Sequence, residues 1–186
     1  TEPTVFFDFI IDCLKIGKEK GLYTCAVSNG YMTLDALRML KDAGLDAMKI
    51  DLKGDAETYK NFCGGGNVEK VWRNAREAKK SGIHVEIVNL VITDVNDDEE
   101  CIKWIVDRHL KEVGTDVPLH FTRYHPAFLF NRSTTKVEKL EDAYKTARRE
   151  GVLYPYIGNV SGHRYENTYC PECRSLLIRR YNYSIL

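Results

Sequence analysis

The chain has 186 residues, of which 44% are hydrophobic and 29% charged, ordinary proportions for a folded globular domain. Its 27 basic and 27 acidic residues give a formal net charge of zero. That balance argues against a broad nucleic-acid or membrane-surface interface, because such surfaces need an excess of Lys and Arg. No apolar run approaches the ~20 residues that a membrane span requires, and no signal peptide is visible. Composition therefore predicts one soluble domain with no nucleic-acid or membrane partner.

In chain order, one pattern repeats: a helix ends in basic residues, a glycine follows, and an apolar strand comes next. The glycines that close these helices are Gly21, Gly44, Gly82, Gly114 and Gly151. Glycine supplies the left-handed backbone that ends a helix, and Lys or Arg in the last turn suits the negative helix end. Because strand and helix alternate, the pattern predicts a parallel sheet with right-handed crossovers.

The helices between the strands are predicted to be amphipathic, with apolar residues recurring on one face. These faces are Phe6, Ile10 and Leu14; Leu34, Leu37 and Leu40; Val71, Ala75 and Ala78; Ile102, Ile105 and Val106; and Leu140, Ala143 and Ala147. Candidate caps are Thr33, Asn67, Asn96 with Glu99, and Thr135 with Glu138, the last two pairs at capping-box spacing. The sequence CGGGN at 63–67 lacks the Lys-Ser/Thr of a phosphate loop and follows no strand, so it predicts a turn.

Five strands separated by helices fit either an open doubly wound sheet or part of a barrel. The strand AMKIDLKG favours the barrel, because alternation puts Lys49, Asp51 and Lys53 on one face and apolar residues on the other. Helices cover both faces of a doubly wound sheet, and burying three charges there would be costly. We therefore predict an α/β fold: a partial (β/α) barrel over residues 1–160, followed by a C-terminal appendix over residues 161–186.

In parallel α/β folds the active site forms beyond the carboxyl ends of the strands. Every predicted strand here stops in polar residues, which predicts a pocket. The Lys49–Asp51–Lys53 ladder is either a self-neutralised ion pair or a clamp for a zwitterion. Glu86 within a strand needs a partner, for which Lys49 or Lys53 is the candidate. His125, just before a Pro at a strand tip, is either a hydrogen-bonded loop residue or a ligand contact.

Six cysteines are present, and only the last two have the spacing of metal ligands. The first four lie in apolar segments, where free Cys behaves as a small hydrophobe: Cys13, Cys25, Cys63 and Cys101. Reduced thiols predict a cytoplasmic protein. Cys170 and Cys173 form a CPEC turn, which is half of a zinc or iron site and needs two further ligands. The alternative is two reduced thiols or a labile disulfide.

The order and spacing of these strand ends, over essentially the whole chain, resemble the radical S-adenosylmethionine (SAM) superfamily. The likeness is greatest to its pyruvate formate-lyase-activating-enzyme branch and to the AmmeMemoRadiSam-system radical SAM proteins. It rests on the motifs SNGY, DLKG, YHP, YIGNV and TYCPECRSLLIRR. The resemblance implies an enzyme that reductively cleaves SAM at a [4Fe–4S] cluster and yields a 5′-deoxyadenosyl radical. It also implies an electron donor such as flavodoxin or ferredoxin, and a substrate that could be a protein.

The resemblance also implies roles for particular residues. Glu2 and Pro3 match the trailing half of a Gly-Gly-Glu-Pro motif that holds the SAM amino group. Ser28 and Asn29 would lie beside the methionine moiety, and His125 near the ribose or adenine.

Asp51 and Lys53 would contact the SAM carboxylate or ribose. The activating-enzyme branch often has an acidic residue where this chain has Val27. The amino-acid end of SAM is therefore expected to be held differently, through Glu86 or Asn89, and pyruvate formate-lyase is an unsafe guess for the substrate.

The Cys-x3-Cys-x2-Cys spacing that binds the cluster in this family is absent from the six cysteines. The resemblance therefore implies the C-terminal portion of a longer enzyme, without its first strand and cluster loop. Alone, this portion is expected to perform no radical chemistry.

Two other functions remain open on the residues alone. One is an aldolase-like barrel in which Lys53, with a pKa lowered by Lys49, forms a Schiff base with a carbonyl substrate. The other is a non-catalytic interaction module built on a metal knuckle at Cys170 and Cys173.

Overall fold

The computed structural model describes residues 2–182 and 184–186. An entirely parallel five-stranded sheet forms the centre of the fold. Its strands are β1 (Cys25–Ser28), β2 (Ala47–Leu52), β3 (His84–Val91), β4 (Leu119–Arg123) and β5 (Pro155–Gly158). They lie side by side in chain order, so each crossover steps one strand in the same direction. A barrel winds in this way, whereas a doubly wound sheet reverses direction. The predicted partial (β/α) barrel is confirmed.

Helices connect the strands. They are α1 (Phe7–Glu19), α2 (Leu34–Asp42), α3 (Ala56–Phe62), α4 (Val68–Lys80), α5 (Glu99–Glu112) and α6 (Val137–Glu150). The short helix α3 is absent from the sequence-based prediction. The five closing glycines all have positive φ, from 69° at Gly21 to 109° at Gly151, as predicted.

The hydrophobic core lies between one face of the sheet and the helices. It contains Ile50, Ile87 and Phe121 from the strands and Trp72 and Ile105 from the helices, each at most 1% exposed. Burying side chains of this size stabilises the fold by roughly 1.5–3 kcal/mol each. The predicted apolar faces of α4, α5 and α6 are confirmed by this core, and that of α2 is confirmed at Leu37 and Leu40, whereas Leu34 is half-buried.

The apolar face predicted for α1 is only partly correct. Leu14 is buried and Ile10 half-buried, but Phe6 is 60% exposed. Phe6 ends a short 3-10 turn, Pro3–Phe6, that precedes α1. A 3-10 turn has a different residue period from an α-helix, so Phe6 does not continue the helical face.

Two of the four predicted helix caps are wrong. Thr33 accepts a hydrogen bond from the Ala36 N–H at 3.1 Å, and Asn67 accepts one from the Glu69 N–H at 2.9 Å, as predicted. However, α5 is capped by Asp98, and α6 follows Lys136 without a side-chain cap.

The two residues wrongly predicted as caps are fully buried instead. Thr135 donates its hydroxyl to the Val91 carbonyl at 2.5 Å, and Asn96 bonds three backbone groups. A buried polar side chain that satisfies strand-end backbone groups contributes more than an exposed cap would.

The opposite face of the sheet, the open face, carries polar residues between apolar ones. Its side chains are Cys25, Val27, Ala47, Lys49, Asp51, His84, Glu86, Val88, Leu90, His120, Thr122 and Tyr156, as the strand registers require. Lys49, Asp51 and Glu86 are only half-buried there. Their partial exposure is what the Lys-Asp-Lys alternation predicts for the inner side of a partial barrel.

After β5 the chain forms two small antiparallel pairs, β6 (Thr168–Tyr169) with β7 (Leu176–Ile178) and β8 (Arg180–Tyr181) with β9 (Ser184–Ile185). Arg180 donates to the Thr168 hydroxyl at 2.7 Å, and that hydroxyl lies 2.9 Å from the Tyr156 hydroxyl. These bonds fasten the appendix to β5. Within the described ranges, no helix is long and apolar enough to cross a bilayer.

Candidate functional site

The carboxylate of Glu2 fastens the start of the chain to the end of β1. The Ser28 hydroxyl donates to Glu2 Oε1 at 2.8 Å, and the Asn29 N–H donates to Glu2 Oε2 at 2.7 Å. The Thr4 hydroxyl adds a third bond to Oε1 at 3.1 Å. Hydrogen bonds to a charged group contribute about 1.5–3 kcal/mol each. The structure therefore brings Glu2, Ser28 and Asn29 together, with Pro3 opening the adjacent 3-10 turn.

Asp51 lies between two lysines on the open face. Its Oδ1 is 3.3 Å from Lys49 Nζ, and its Oδ2 is 3.5 Å from Lys53 Nζ. The side chains of Lys49, Asp51 and Lys53 are 33–40% exposed, so these ion pairs contribute at most about 1 kcal/mol each. Weak pairs of this kind can be exchanged for contacts with a charged ligand.

A cleft of about 530 Å³ opens at the carboxyl ends of β1 and β2. Its walls include Glu2, Asn29, Tyr31, Lys53, Tyr59 and the turn Cys63–Gly66, and together these define the strand-end cleft. Three residues predicted for the site, Glu2, Asn29 and Lys53, therefore share one cavity. Tyr59 and the glycine turn were not predicted as part of it.

Buried asparagines support the floor of the site. Asn96 Nδ2 donates to the Lys53 and Leu90 carbonyls at 2.6 and 3.0 Å, and its Oδ1 accepts from the Ile92 N–H at 2.7 Å. Asn74 Nδ2 donates to the Gly30 and Met32 carbonyls, both at 2.8 Å. Sequence reasoning missed both roles. For Asn74, the sequence did contain a signal: a polar amide side chain lies among the apolar residues of the buried face of α4.

Asn89 does not reach the open face. It is fully buried, and its Nδ2 donates to the Leu52 carbonyl at 2.9 Å on the helix-facing side of the sheet. Its Oδ1 has no hydrogen-bond partner among the described residues. The structure therefore gives Asn89 a position between β2 and β3 that is separate from the strand-end cleft, and its predicted role in binding stays a prediction.

Glu86 lies on the open face, but its predicted pairing with a lysine is wrong. Its two carboxylate oxygens are 3.0 Å from His120 Nε2 and 3.2 Å from His84 Nε2. The hydrogen bond with His120 is the main cause that lowers the pKa of Glu86 to about 2. Glu86 is in register with Lys49, toward the amino ends of the strands, and does not line the strand-end cleft.

Two further predicted positions lie at the rim. His125 is exposed in the segment after β4 and does not line the strand-end cleft. Val27, which stands where an acidic residue is common in the activating-enzyme branch, is 53% exposed on the open face. A hydrophobic side chain there cannot hold an ammonium group.

The CPEC turn presents two free thiols between β6 and β7. Cys173 Sγ lies 3.1 Å from the Ser175 hydroxyl, and this hydrogen bond is the main cause that lowers the pKa of Cys173 to about 7. Over residues 2–182 and 184–186, no group of three or more His, Cys, Asp or Glu residues could hold a metal ion. Zinc at Cys170 and Cys173 stays a prediction.

Comparison with known proteins places this chain in a family. Residues 1–105 match the family described as the radical SAM superfamily. The chain belongs to the radical SAM superfamily. Members of this superfamily are enzymes, and the family implies SAM and a [4Fe–4S] cluster as cofactors.

The chain is similar to curated archaeal proteins about twice its length. It is 43% identical to an uncharacterised protein of Methanocaldococcus jannaschii, over 97% of this chain and 54% of that protein. It is 31% identical to a probable GTP 3',8-cyclase of Metallosphaera sedula, over 73% of this chain and 44% of that one. The chain therefore spans about half the length of the curated relatives it matches.

Solved radical SAM structures share the fold. A domain of the pyruvate-formate lyase-activating enzyme from Bacteroides vulgatus superposes with a TM-score of 0.74 at 21% identity, covering 86% of this chain and 95% of that one. Streptococcus suis SuiB bound to S-adenosylmethionine superposes with a TM-score of 0.64 at 16% identity, covering 86% of this chain and 38% of that one. These likenesses confirm the partial barrel.

The residues of this chain fit SAM but not the cluster. An open polar cleft with a lysine and an adjacent Asp51 suits a zwitterionic nucleoside. Three cysteines at the cluster spacing are absent from the sequence, and only Cys170 and Cys173 lie within three positions of each other. Cluster ligands would have to come from residues outside this chain.

Proposed function

We propose that residues 1–160 of this chain are a SAM-binding portion of a radical SAM enzyme of the activating-enzyme-like type. One observation carries the proposal: Glu2, Asn29 and Lys53, on three separate segments, line one cleft at the carboxyl ends of the strands. In this fold that end of the sheet is where ligands bind. The appendix, residues 161–186, is proposed as a separate unit beside β5.

Glu2 has a positioning role, and one of its carboxylate oxygens can accept a further hydrogen bond. Its Oε1 already accepts from Ser28 and Thr4, whereas Oε2 accepts only from the Asn29 N–H. A carboxylate oxygen has two lone pairs, so Oε2 can accept one further N–H. The SAM amino group would be that donor, with Ser28 holding the carboxylate in place.

The ladder on β2 would hold the charged and hydroxyl groups of SAM. Lys53 would pair with the carboxylate, and Asp51 would accept from a ribose hydroxyl. When bound beside a reduced cluster, SAM supplies a 5′-deoxyadenosyl radical that abstracts hydrogen from a substrate. The contribution of this chain is to orient SAM and to form one wall of the cavity.

The test uses the longer protein, anaerobically reconstituted with iron and sulfide, and measures 5′-deoxyadenosine. Lys53→Met is expected to raise the KM for SAM about tenfold, since a lost charged contact is worth about 1.5–3 kcal/mol. Lys103→Met removes an exposed lysine of α5, paired with Asp107, and should change nothing. Absence of both iron–sulfur absorption and SAM cleavage in the unaltered protein would refute the proposal.

A second candidate is a radical SAM enzyme that acts on a nucleotide. Three archaeal relatives named probable GTP 3',8-cyclase, 27–35% identical, favour it. Incubating the reconstituted protein with GTP and SAM should then yield a cyclised nucleotide. A protein substrate would instead leave GTP unchanged. Flavodoxin and ferredoxin are proposed electron donors, and either can replace chemical reductant in the same assay.

The aldolase-like alternative has less support in the geometry. Lys53 does not face Lys49 alone, because Asp51 lies between the two ammonium groups. An ion-paired ammonium lacks the free lone pair that Schiff-base formation needs. Borohydride trapping with carbonyl compounds remains the direct test.

A further inference from the structure

The Tyr59 side of the strand-end cleft is not explained by SAM binding as proposed above. Tyr59 is only 4% exposed, and its hydroxyl accepts a hydrogen bond from the Lys53 backbone N–H at 3.4 Å. The hydroxyl proton has no acceptor among the described residues. Burial raises the pKa of Tyr59 to about 12, so the phenol keeps this proton at neutral pH. A buried hydroxyl without an acceptor usually marks a missing partner.

The glycine turn beside Tyr59 adds bare backbone donors. Gly64 and Gly65 have φ of 62° and 75°, and a Cβ at either would meet nothing within 4 Å. Packing therefore does not exclude a side chain at either position, and both glycines line the cleft. Neither N–H makes a hydrogen bond within the described chain. Gly64 and Gly65 are consecutive residues of the cleft lining, so two unpaired backbone donors are adjacent there, whereas the Cys63 N–H already donates to the Tyr59 carbonyl at 3.1 Å.

Donors therefore predominate in this part of the cavity. They are the Lys53 ammonium, the Tyr59 hydroxyl, two glycine N–H groups and the Asn29 side-chain amide, whose nitrogen is unpaired within the described ranges. The carboxylate of the lining, Glu2, is engaged by Ser28, Asn29 and Thr4, and its remaining lone pair on Oε2 is the position proposed for the SAM amino group. A ligand that fits must supply acceptor oxygens.

We propose that Tyr59, Gly64, Gly65 and the Asn29 side-chain amide form a binding site for an oxyanion of the second substrate, a phosphate ester or a carboxylate, next to SAM, whose own carboxylate pairs with Lys53. The proposal deepens the proposed function and rests on it for the identity of the neighbouring ligand. Several donors spread over a phenol, a side-chain amide and two backbone amides match the separated oxygens of such a group.

Tripolyphosphate and succinate are the two probes, titrated into the 186-residue chain by calorimetry at neutral pH and low salt. Tyr59→Phe removes only the hydroxyl and should weaken the tighter probe about tenfold, because a hydrogen bond to a charged group is lost. Gly65→Ala should weaken it as well, since a Cβ adds bulk at a residue that lines the cleft. The tighter of the two probes distinguishes a phosphate from a carboxylate ligand.

The chain offers a matched control for each variant. Tyr144 is 5% exposed on α6, and its hydroxyl likewise accepts a single N–H, from Arg174. Gly21 has a φ of 69° and open space around its Cβ position, at the end of α1. Tyr144→Phe and Gly21→Ala should match the test variants in stability to urea while leaving probe binding unchanged. Equal losses of binding in test and control variants, or no binding of either probe, would overturn the proposal.

A third measurement separates this site from that of SAM itself. In the reconstituted longer protein, saturating SAM should leave the affinity for the probe within about twofold. Displacement of the probe by SAM would assign these donors to the SAM carboxylate and overturn the proposal. Failure of SAM cleavage would refute the proposed function alone, because probe binding to this chain is measured without cluster or SAM.

Discussion

Glu86 is held by imidazole rings although a lysine lies in register with it on the next strand. The ammonium of that lysine, Lys49, is drawn to Asp51 on its own strand at 3.3 Å. The His120 ring is fixed by stacking on Tyr156, with ring centroids 4.9 Å apart, and this places Nε2 beside the carboxylate. A sequence pattern gives the face of each strand residue but not the rotamer that decides whether Glu86 pairs with a lysine or a histidine.

Replacing His120 should therefore raise the pKa of Glu86 toward its ordinary value. The folded pKa of about 2 lies below the unfolded value of about 4.3, so the pair stabilises the fold above the unfolded pKa. This contribution is lost as pH falls through about 2. Because the Glu86 side chain is 38% exposed, it amounts to less than about 1 kcal/mol.

Carboxyl-carbon NMR titration of His120→Phe, which keeps an aromatic ring on Tyr156, measures the shift. His84→Phe is the comparison, and its effect should be smaller because the hydrogen bond with His84 contributes less. A larger rise with His84→Phe than with His120→Phe would contradict this assignment.

Among the residues near the site, Asn96 is the one whose replacement should lower the free energy of unfolding the most. Asn96→Ala leaves the Ile92 N–H and the Lys53 and Leu90 carbonyls without this partner in a buried position. We expect the free energy of unfolding to fall by about 3 kcal/mol, measured by urea denaturation. Asn67→Ala, at an exposed cap, should cost only about 1 kcal/mol. Similar losses in the two variants would contradict the supporting role.

At the scale of elements, the start of α5 distinguishes two candidate N-terminal caps of that helix. The capping-box spacing assigns the cap to Asn96 with Glu99, whereas the structure assigns it to Asp98, which accepts from the Cys101 N–H at 2.8 Å. Asp98→Ala should therefore lower the free energy of unfolding by about 1 kcal/mol. Glu99→Ala should change it by less than about 0.5 kcal/mol. A large loss with Glu99→Ala would restore the capping box.

The elements themselves could largely be predicted from the sequence. Basic residues followed by Gly and then an apolar strand recur five times, and this period fixes both the helix ends and the parallel order. Helix α3 was not predicted because its seven residues, Ala56–Phe62, are too few to show a periodic apolar face. The strand-end cleft was predicted from β1 and β2, but Tyr59 joins it through α3 and so could not be predicted.

At the scale of the whole molecule, the helices and appendix leave the open face and the strand-end cleft accessible. The winding in chain order places Ser28 and Lys53 at the same edge of the sheet, and Glu2 closes that edge through β1. The Lys-Asp-Lys ladder on β2 indicated this arrangement, because its charges needed a side without helices. Superfamily membership gives that side its proposed ligand, SAM.

The zinc content of the longer protein tests whether the CPEC turn of the appendix shares a metal site with residues outside this chain. Tetrahedral zinc needs four ligands, and this turn offers Cys170 and Cys173. If the remaining ligands lie outside this chain, the longer protein should hold about one zinc per chain that Cys170→Ser and Cys173→Ser each abolish, as measured by elemental analysis. Cys13→Ser and Cys25→Ser, at exposed free thiols far from the turn in sequence, are the controls and should leave the zinc content unchanged. Zinc content that is independent of Cys170 and Cys173 would leave the pair as reduced thiols, with Ser175 hydrogen-bonded to Cys173 as the structure shows.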